Sequence, residues 1–240
     1  MNDVHRRRAG APNRRRRDAL RIGAAYAFYL LVGARRGQVL EAGRRNALAL
    51  LRLERRLGID VERRLQRAVL ERGAARAFCN ALYLTNQVAA APAAYALLAR
   101  RRPEAASRFC SVAAGSMATA AVWHALQPVA PPRSVSADIV DTVTRDTIVD
   151  LDSKLVRAFY NPVAAVPSLH IVAASLSANA LLQVDRQPLV RAAALAYASS
   201  VAVAVVATGN HYVLDIAAGL VVGAGVAVAA RQLQKLDVSL

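Results

Sequence analysis

The sequence predicts an all-α, polytopic membrane bundle of about six transmembrane helices with an added amphipathic surface helix, and three observations carry that expectation. Of 240 residues, 55% are apolar, and the mean hydropathy is +0.27 although the net charge is +16. Charge and apolar residues are segregated: most arginines precede residue 109, whereas 166–230 is almost free of charge. The apolar runs also approach the roughly 20 residues a helix needs to cross a hydrocarbon core. A soluble chain this basic would point to nucleic acid. With aromatics at only 5% there is too little to stack bases on, so no nucleic-acid partner is expected. Cys79 and Cys110 sit inside apolar runs without a CxxC or Cys/His cluster, which reads as two small buried hydrophobes rather than a disulfide scaffold. Arginine outnumbers lysine 30 to 2 beside abundant alanine, the composition of a GC-rich bacterial genome.

Taken in order, residues 1–18 hold seven arginines around Gly10 and Pro12, without apolar periodicity, and read as a disordered cytosolic tail. Residues 19–72 follow as a weak first transmembrane helix and an interfacial helix. The apolar stretch 22–34 is short, about 20 Å of helix, and spans only if it recruits Ala19 and Leu20. Its rival reading, a signal peptide cleaved after Ala34, is opposed by Arg35 and Arg36 directly behind. In 41–72, Leu50, Leu53, Leu57, Val61, Leu65 and Val69 recur at three or four residues, the pattern of an amphipathic helix on the membrane surface or packed against the protein.

Residues 73–230 form the expected membrane bundle. Its runs are 74–99, 109–129, 166–184, 189–208 and 211–230, with a polar loop at 130–165. Their glycine, alanine and serine content suits close helix packing in lipid. The connections 100–108 and 184–191 and the cytosolic tail 231–240 carry eight basic residues; the 130–165 loop carries four, among five aspartates. The positive-inside rule therefore puts the long loop on the non-cytoplasmic side of the cell membrane. This also puts the arginine-rich 41–72 outside if 22–34 spans.

Two histidines stand where chemistry is expected. His170 follows Pro167-Ser168-Leu169 at the start of one run, and His211 follows Gly209-Asn210 at the start of the last, both at the same membrane face. Ser168 is a good N-cap, and an uncapped helix start with its positive dipole end is an anion site. Asp215 lies four residues after His211, on the same helix face, where a carboxylate holds one ring nitrogen protonated and leaves the other as a nucleophile. His124, inside a run, reads as a packing residue. Anion site, aligned nucleophile and second histidine point to phosphoryl transfer.

At these residues the chain resembles the type 2 phosphatidic acid phosphatase superfamily. Pro167-Ser168-Leu169-His170 and His211-x-x-x-Asp215-x-x-x-Gly219, 41 residues apart, are similar to its second and third signature motifs. The Ala130-Pro131-Pro132 turn and the His-Tyr-x-x-Asp form resemble the branch of inositol phosphorylceramide synthases and their bacterial relatives. Two departures stand out. Ala204 and Val205 replace the superfamily's Ser-Arg pair, and Tyr95 stands where the first motif, ending here at Arg102-Pro103, has lysine. Arg133 is the leading substitute for the missing phosphate clamp, ahead of Arg157 and Lys154.

The resemblance implies a lipid-phosphate phosphatase or phosphotransferase with a phosphohistidine intermediate. His211 is the expected nucleophile, Asp215 its orienting carboxylate and His170 the general acid and base. Arg133, Ser168 and Asn210 are expected to hold the phosphate. The implied partners are a lipid phosphate, surrounding membrane lipids and, for a transferase, a polyol or lipid alcohol acceptor; no cofactor or metal is called for. The competing readings are a catalytically degenerate lipid-binding scaffold and a haloperoxidase-like oxidoreductase.

Overall fold

The computed structural model describes residues 11–33 and 36–238; the first ten residues of the expected tail lie outside them, as do the last two of the chain. The described chain is helix and loop, with one isolated parallel bridge between Val129 and Ala164. Its helices are α1 (Ala11–Gly33), α2 (Arg36–Leu57), α3 (Glu62–Leu70), α4 (Gly73–Thr85), α5 (Ala91–Arg101), α6 (Pro103–Leu126), α7 (Thr142–Asp146), α8 (Lys154–Phe159), α9 (Leu169–Val184), α10 (Pro188–Ala207) and α11 (Val213–Val238). Three of them, α6, α10 and α11, are long and apolar enough to cross a membrane, and α9 is a shorter apolar helix.

The breaks follow from local chemistry. Proline opens α6 and α10, where its missing N–H is not needed. Ser168 caps α9, its hydroxyl accepting from the Ile171 amide. Gly58, at φ 69°, separates α2 from α3. Between α4 and α5 the helix does not stop; it passes through a π turn at Asn86–Ala90 just before Pro92, whose ring and absent N–H disturb the preceding turn.

The expectation of disorder is corrected for residues 11–18, and the expected C-terminal tail is helical as far as Val238. The chain is helical from Ala11, not disordered to residue 18, because arginine is a good helix former and Asp18 is a docking point. Asp18 is buried, accepts from Tyr95 Oη and Ser107 Oγ, and pairs with Arg21 at 3.5 Å. Arg21 in turn reaches Ser111, and Tyr29 meets His124 edge-on, so α1 runs parallel to α6 along its length. At the other terminus, α11 stays helical through Val238 where a tail from 231 was expected.

The bundle therefore has two ends. One gathers Arg100–Arg102, Arg108 and Arg186, around the α5–α6 and α9–α10 connections. The other holds the 127–168 loop and the starts of α9 and α11. Helices α2 and α3 lie at this second end, and their leucine stripe is split: Leu53, Leu57 and Val61 are exposed, while Val69 is buried and Leu50 and Leu65 pack inward, on the side of the buried Ala47, Glu54, Glu62 and Gln66. Gln66 clasps Val140 through both its amide groups and also donates to the Ala207 carbonyl. Beneath the loop, Tyr83, Val143, Leu151, Ile171, Val201 and Val205 form an apolar core that supports the starts of α9 and α11.

Candidate active site

His170 and His211 are brought together by close helix packing that only glycine permits. A Cβ on Gly219 would sit 2.6 Å from the Ser168 carbonyl and 3.1 Å from Ile171 Cβ, so α11 can approach the start of α9 only without one. Ahead of α11, Gly209 turns the chain at φ 80°, and a Cβ there would meet the Val140 carbonyl at 2.6 Å. The turn is pinned by the His211 amide donating to Val205 and the Arg133 amide donating to Gly209.

The two imidazoles end 5.3 Å apart between ring centres, at 67°. His211 Nδ1 lies 2.8 Å from Asp215 Oδ2, which also accepts from the Tyr212 amide. Both side chains of this pair are buried, Asp215 completely. With Nδ1 engaged, Nε2 is the nitrogen His211 has left for the cavity it lines. Tyr83 stacks on His170 at 4.4 Å, and Asn86 in the π turn donates to the His170 carbonyl while accepting from Tyr197 Oη. His170 Nδ1 is buried without a hydrogen-bond partner among the described residues.

The space in front of the histidines is a small cavity of about 60 Å³, walled on the loop side by Arg133, Tyr160 and Asn210. The Arg133 side chain is only 6% exposed. Its Nε donates to Asn210 Oδ1 at 2.8 Å, one terminal nitrogen to Tyr160 Oη at 2.9 Å, and the other reaches Asp141 at 3.3 Å and Asp152 at 3.4 Å. Burial opposes its charge, yet Tyr160, Asp141 and Asp152 outweigh that and raise its pKa. Three of the five guanidinium N–H groups thus donate hydrogen bonds, to Asn210, Asp152 and Tyr160, with Asp141 in ion-pair range. Asp152 also binds Arg157 at 2.7 Å; although burial opposes it, the two arginines hold this carboxylate below its usual range.

Of the residues singled out in the sequence, His170, His211, Arg133 and Asn210 share one cavity, with Asp215 directly behind His211. Ser168 does not join them. It is fully buried and its hydroxyl is spent on capping α9, so it shapes the site without facing it. Arg157 is held off by Asp152, and Lys154 is exposed on α8. His124 is buried against Tyr29, as a packing residue would be.

Sequence reasoning missed Tyr83, Asn86, Asp141, Asp152, Tyr160, Glu54 and Glu62. A signal existed for part of this set: Asn80, Tyr83 and Asn86 recur at three-residue spacing inside an apolar run, and polar groups there are expensive unless used. Asn80 makes two hydrogen bonds to Thr142, so this polar face of α4 ties the loop and α9 together.

Against this geometry, comparison with known proteins gives one finding. A sequence model described as the PAP2 superfamily matches residues 48–229. No curated protein and no solved structure matches the chain.

Proposed function

The chain belongs to the PAP2 superfamily, and from that premise we propose that it is a membrane-embedded lipid-phosphate phosphatase or phosphotransferase acting through a phosphohistidine on His211. Membership itself points to a phosphatase-type function, and the three long apolar helices to a membrane protein. The observation that carries the finer reading is His211 Nδ1 held at 2.8 Å by a fully buried Asp215, with His170 across the same cavity.

In the first half-reaction His211 Nε2 attacks phosphorus; the N–P bond forms as the bond to the leaving alkoxide breaks. Asp215 keeps the Nδ1 proton in place and stabilises the positive ring. His170 gives a proton to the departing oxygen, which is too basic to leave as an alkoxide at neutral pH. In the second half-reaction His170 takes a proton from water or an acceptor alcohol, whose oxygen attacks phosphorus and frees His211. The guanidinium of Arg133, held in place by Asn210 and Tyr160, supports charge on the phosphoryl oxygens.

An apolar cavity of about 690 Å³ supports a lipid substrate. Ile22, Tyr26, Val88, Phe109, Met117 and Leu176 are among its lining residues, and Leu169 is shared with the cavity of the histidines. A phosphate at His211 would thus have room beside it for a hydrocarbon chain. The basic residues of the short connections at the opposite end support a cytoplasmic position for that end and a non-cytoplasmic active site in the cell membrane, while the arginines of α2 and α3 at the histidine end run against that rule. Ala204 and Val205, fully buried and apolar, leave the usual clamping positions without a cation, which favours a transferase that takes an alcohol acceptor.

The test is product analysis with detergent-purified protein and a panel of labelled lipid phosphates, with and without inositol or diacylglycerol. Free phosphate lost in His211→Ala identifies a hydrolase; a phosphodiester formed only with acceptor identifies a transferase. Neither product, with lipid still bound, would replace this reading by a non-catalytic lipid-binding protein.

A further inference from the structure

The amphipathic segment takes no part in the steps above, yet it delivers two buried carboxylates to the back of the His211–Asp215 pair. Glu54, from α2, is completely buried and its Oε1 accepts from the Leu214 amide at 2.7 Å. Glu62, the first residue of α3, is 2% exposed and accepts from the Val213 amide at 3.2 Å. Asp215 itself accepts from the Tyr212 amide at 3.0 Å. Three consecutive amides at the start of α11 therefore end on three carboxylates from three different helices.

A helix start leaves its first amides unpaired and carries the positive end of the dipole, so carboxylates there are stabilising. A local Ser, Thr or Asp cap ordinarily meets that need, and none precedes α11: the residues are Gly209, Asn210, His211 and Tyr212. The caps come instead from 151 and 160 residues away in the chain. Besides the amides, Asp215 meets His211 Nδ1 and the Glu54 and Glu62 carboxyls hydrogen-bond to each other.

We propose that Glu54 and Glu62 are positioning residues, which clamp the first turn of α11 so that Asp215 meets His211 Nδ1 in register. The proposal rests on the His211 reading above and adds to it two residues that never touch substrate. Burial, with Glu62 and Asp215 as neighbours, pushes the Glu54 carboxyl up to about 8 against the pull of the Leu214 amide. One proton is thus retained among the carboxylates at neutral pH. The titratable groups around Glu54 are Glu62 on α3 and Tyr212 and Asp215 at the start of α11.

The experiment compares Glu54→Leu, Glu54→Gln and Glu62→Leu in the full-length protein in detergent, with His211→Ala as the blank. Leucine cannot accept from the Leu214 amide, whereas glutamine keeps a carbonyl acceptor and mimics the protonated acid. Glu54→Leu is expected to lower kcat about a hundredfold with KM held, the scale of a small misplacement at the reacting centre. Glu54→Gln should recover most of that loss, and Glu62→Leu should cost less, its bond being longer. Two readouts do not depend on turnover. The downfield Nδ1 proton resonance of His211 should weaken in both leucine variants at unchanged helicity. Glu54 binds a proton in the fold that the unfolded chain has released, so stability should fall as pH rises toward and through 8. Glu54→Gln, unable to ionise, should flatten that fall. Wild-type kcat and an unchanged His211 resonance in Glu54→Leu would overturn the proposal, as would a Gln variant as impaired as Leu. If His211→Ala keeps its activity, the parent reading fails instead; a dead His211→Ala beside a fully active Glu54→Leu fails this one alone.

Discussion

At the scale of single residues, the proposed nucleophile rests on which ring nitrogen of His211 is occupied. Asp215 holds Nδ1 from inside the protein, so a substrate can meet only Nε2. Asp215→Asn keeps the size and one acceptor of the side chain but removes the charge that fixes the tautomer and stabilises the imidazolium. It is expected to lower kcat by about 10³–10⁴-fold with little change in KM, by analogy with the orienting aspartate of a hydrolase triad, and steady-state kinetics will check it. A variant within tenfold of wild type would mean that Asp215 serves packing alone. His211 and Asp215 were legible in the sequence because their spacing is local, four positions putting them on one face, and Pro167-Ser168 announced the helix start that carries His170. Arg133 was legible only as a cation near a helix exit. That Asp141, Asp152 and Tyr160 would take most of its donors depends on how the loop folds, and no spacing encodes it. Ser168 was legible as the cap it is, its hydroxyl accepting from the Ile171 amide at the start of α9.

At the scale of elements, α11 must lie close against the start of α9 for the histidines to meet. Gly219→Ala would force its Cβ against the Ser168 carbonyl, where backbone cannot yield as a flexible side chain does. The expected result is a loss of about 1–3 kcal/mol in stability, together with a fall in activity larger than unfolding explains; thermal melts and kcat on the same preparation will separate the two. Gly223→Ala, whose nearest neighbours would be Val172 methyls at 3.8 and 3.9 Å, is the matched control and should be mild. The Gly in the motif could be read from sequence, but its reason could not, because the crowding atoms belong to another helix. The π turn is similar. The sequence read 74–99 as one run, and both the π turn before Pro92 and the role of Asn86 in holding His170 needed the fold. For α2 and α3, the leucine periodicity correctly signalled helix, while the buried face mixes Leu50, Leu65 and Val69 of that stripe with Glu54, Glu62 and Gln66. Apolar periodicity locates a buried face only when nothing polar is held there by hydrogen bonds, and here backbone amides and carbonyls of α11, the loop and α10 supply them.

At the scale of the whole molecule, segregation of charge and hydropathy was enough to give an all-helical chain with a long loop at one end and arginines at the other. It gave too little weight to α1. Only 13 residues there are continuously apolar, but the helix begins at Ala11 because Asp18, at the level of Ser107, is received by Tyr95 and Ser107 rather than by water. The same arrangement puts α2 and α3 at the end of the two histidines. The arginine-rich segment at that end runs against the charge rule, and the two glutamates it carries bond to the start of α11. Helix ends, loop and capping segment thus converge on one small cavity whose chemistry turns on His211. The most direct test is to mix purified protein with lipid phosphate labelled with ³²P, quench in alkali within the first turnover, and map the bound label by peptide sequencing. An alkali-stable, acid-labile phosphoryl group on His211, absent from His211→Ala and accumulating when His170→Ala slows its release, is the predicted result. Product formation at wild-type rate with no label on His211, or label persisting in His211→Ala, would contradict the account.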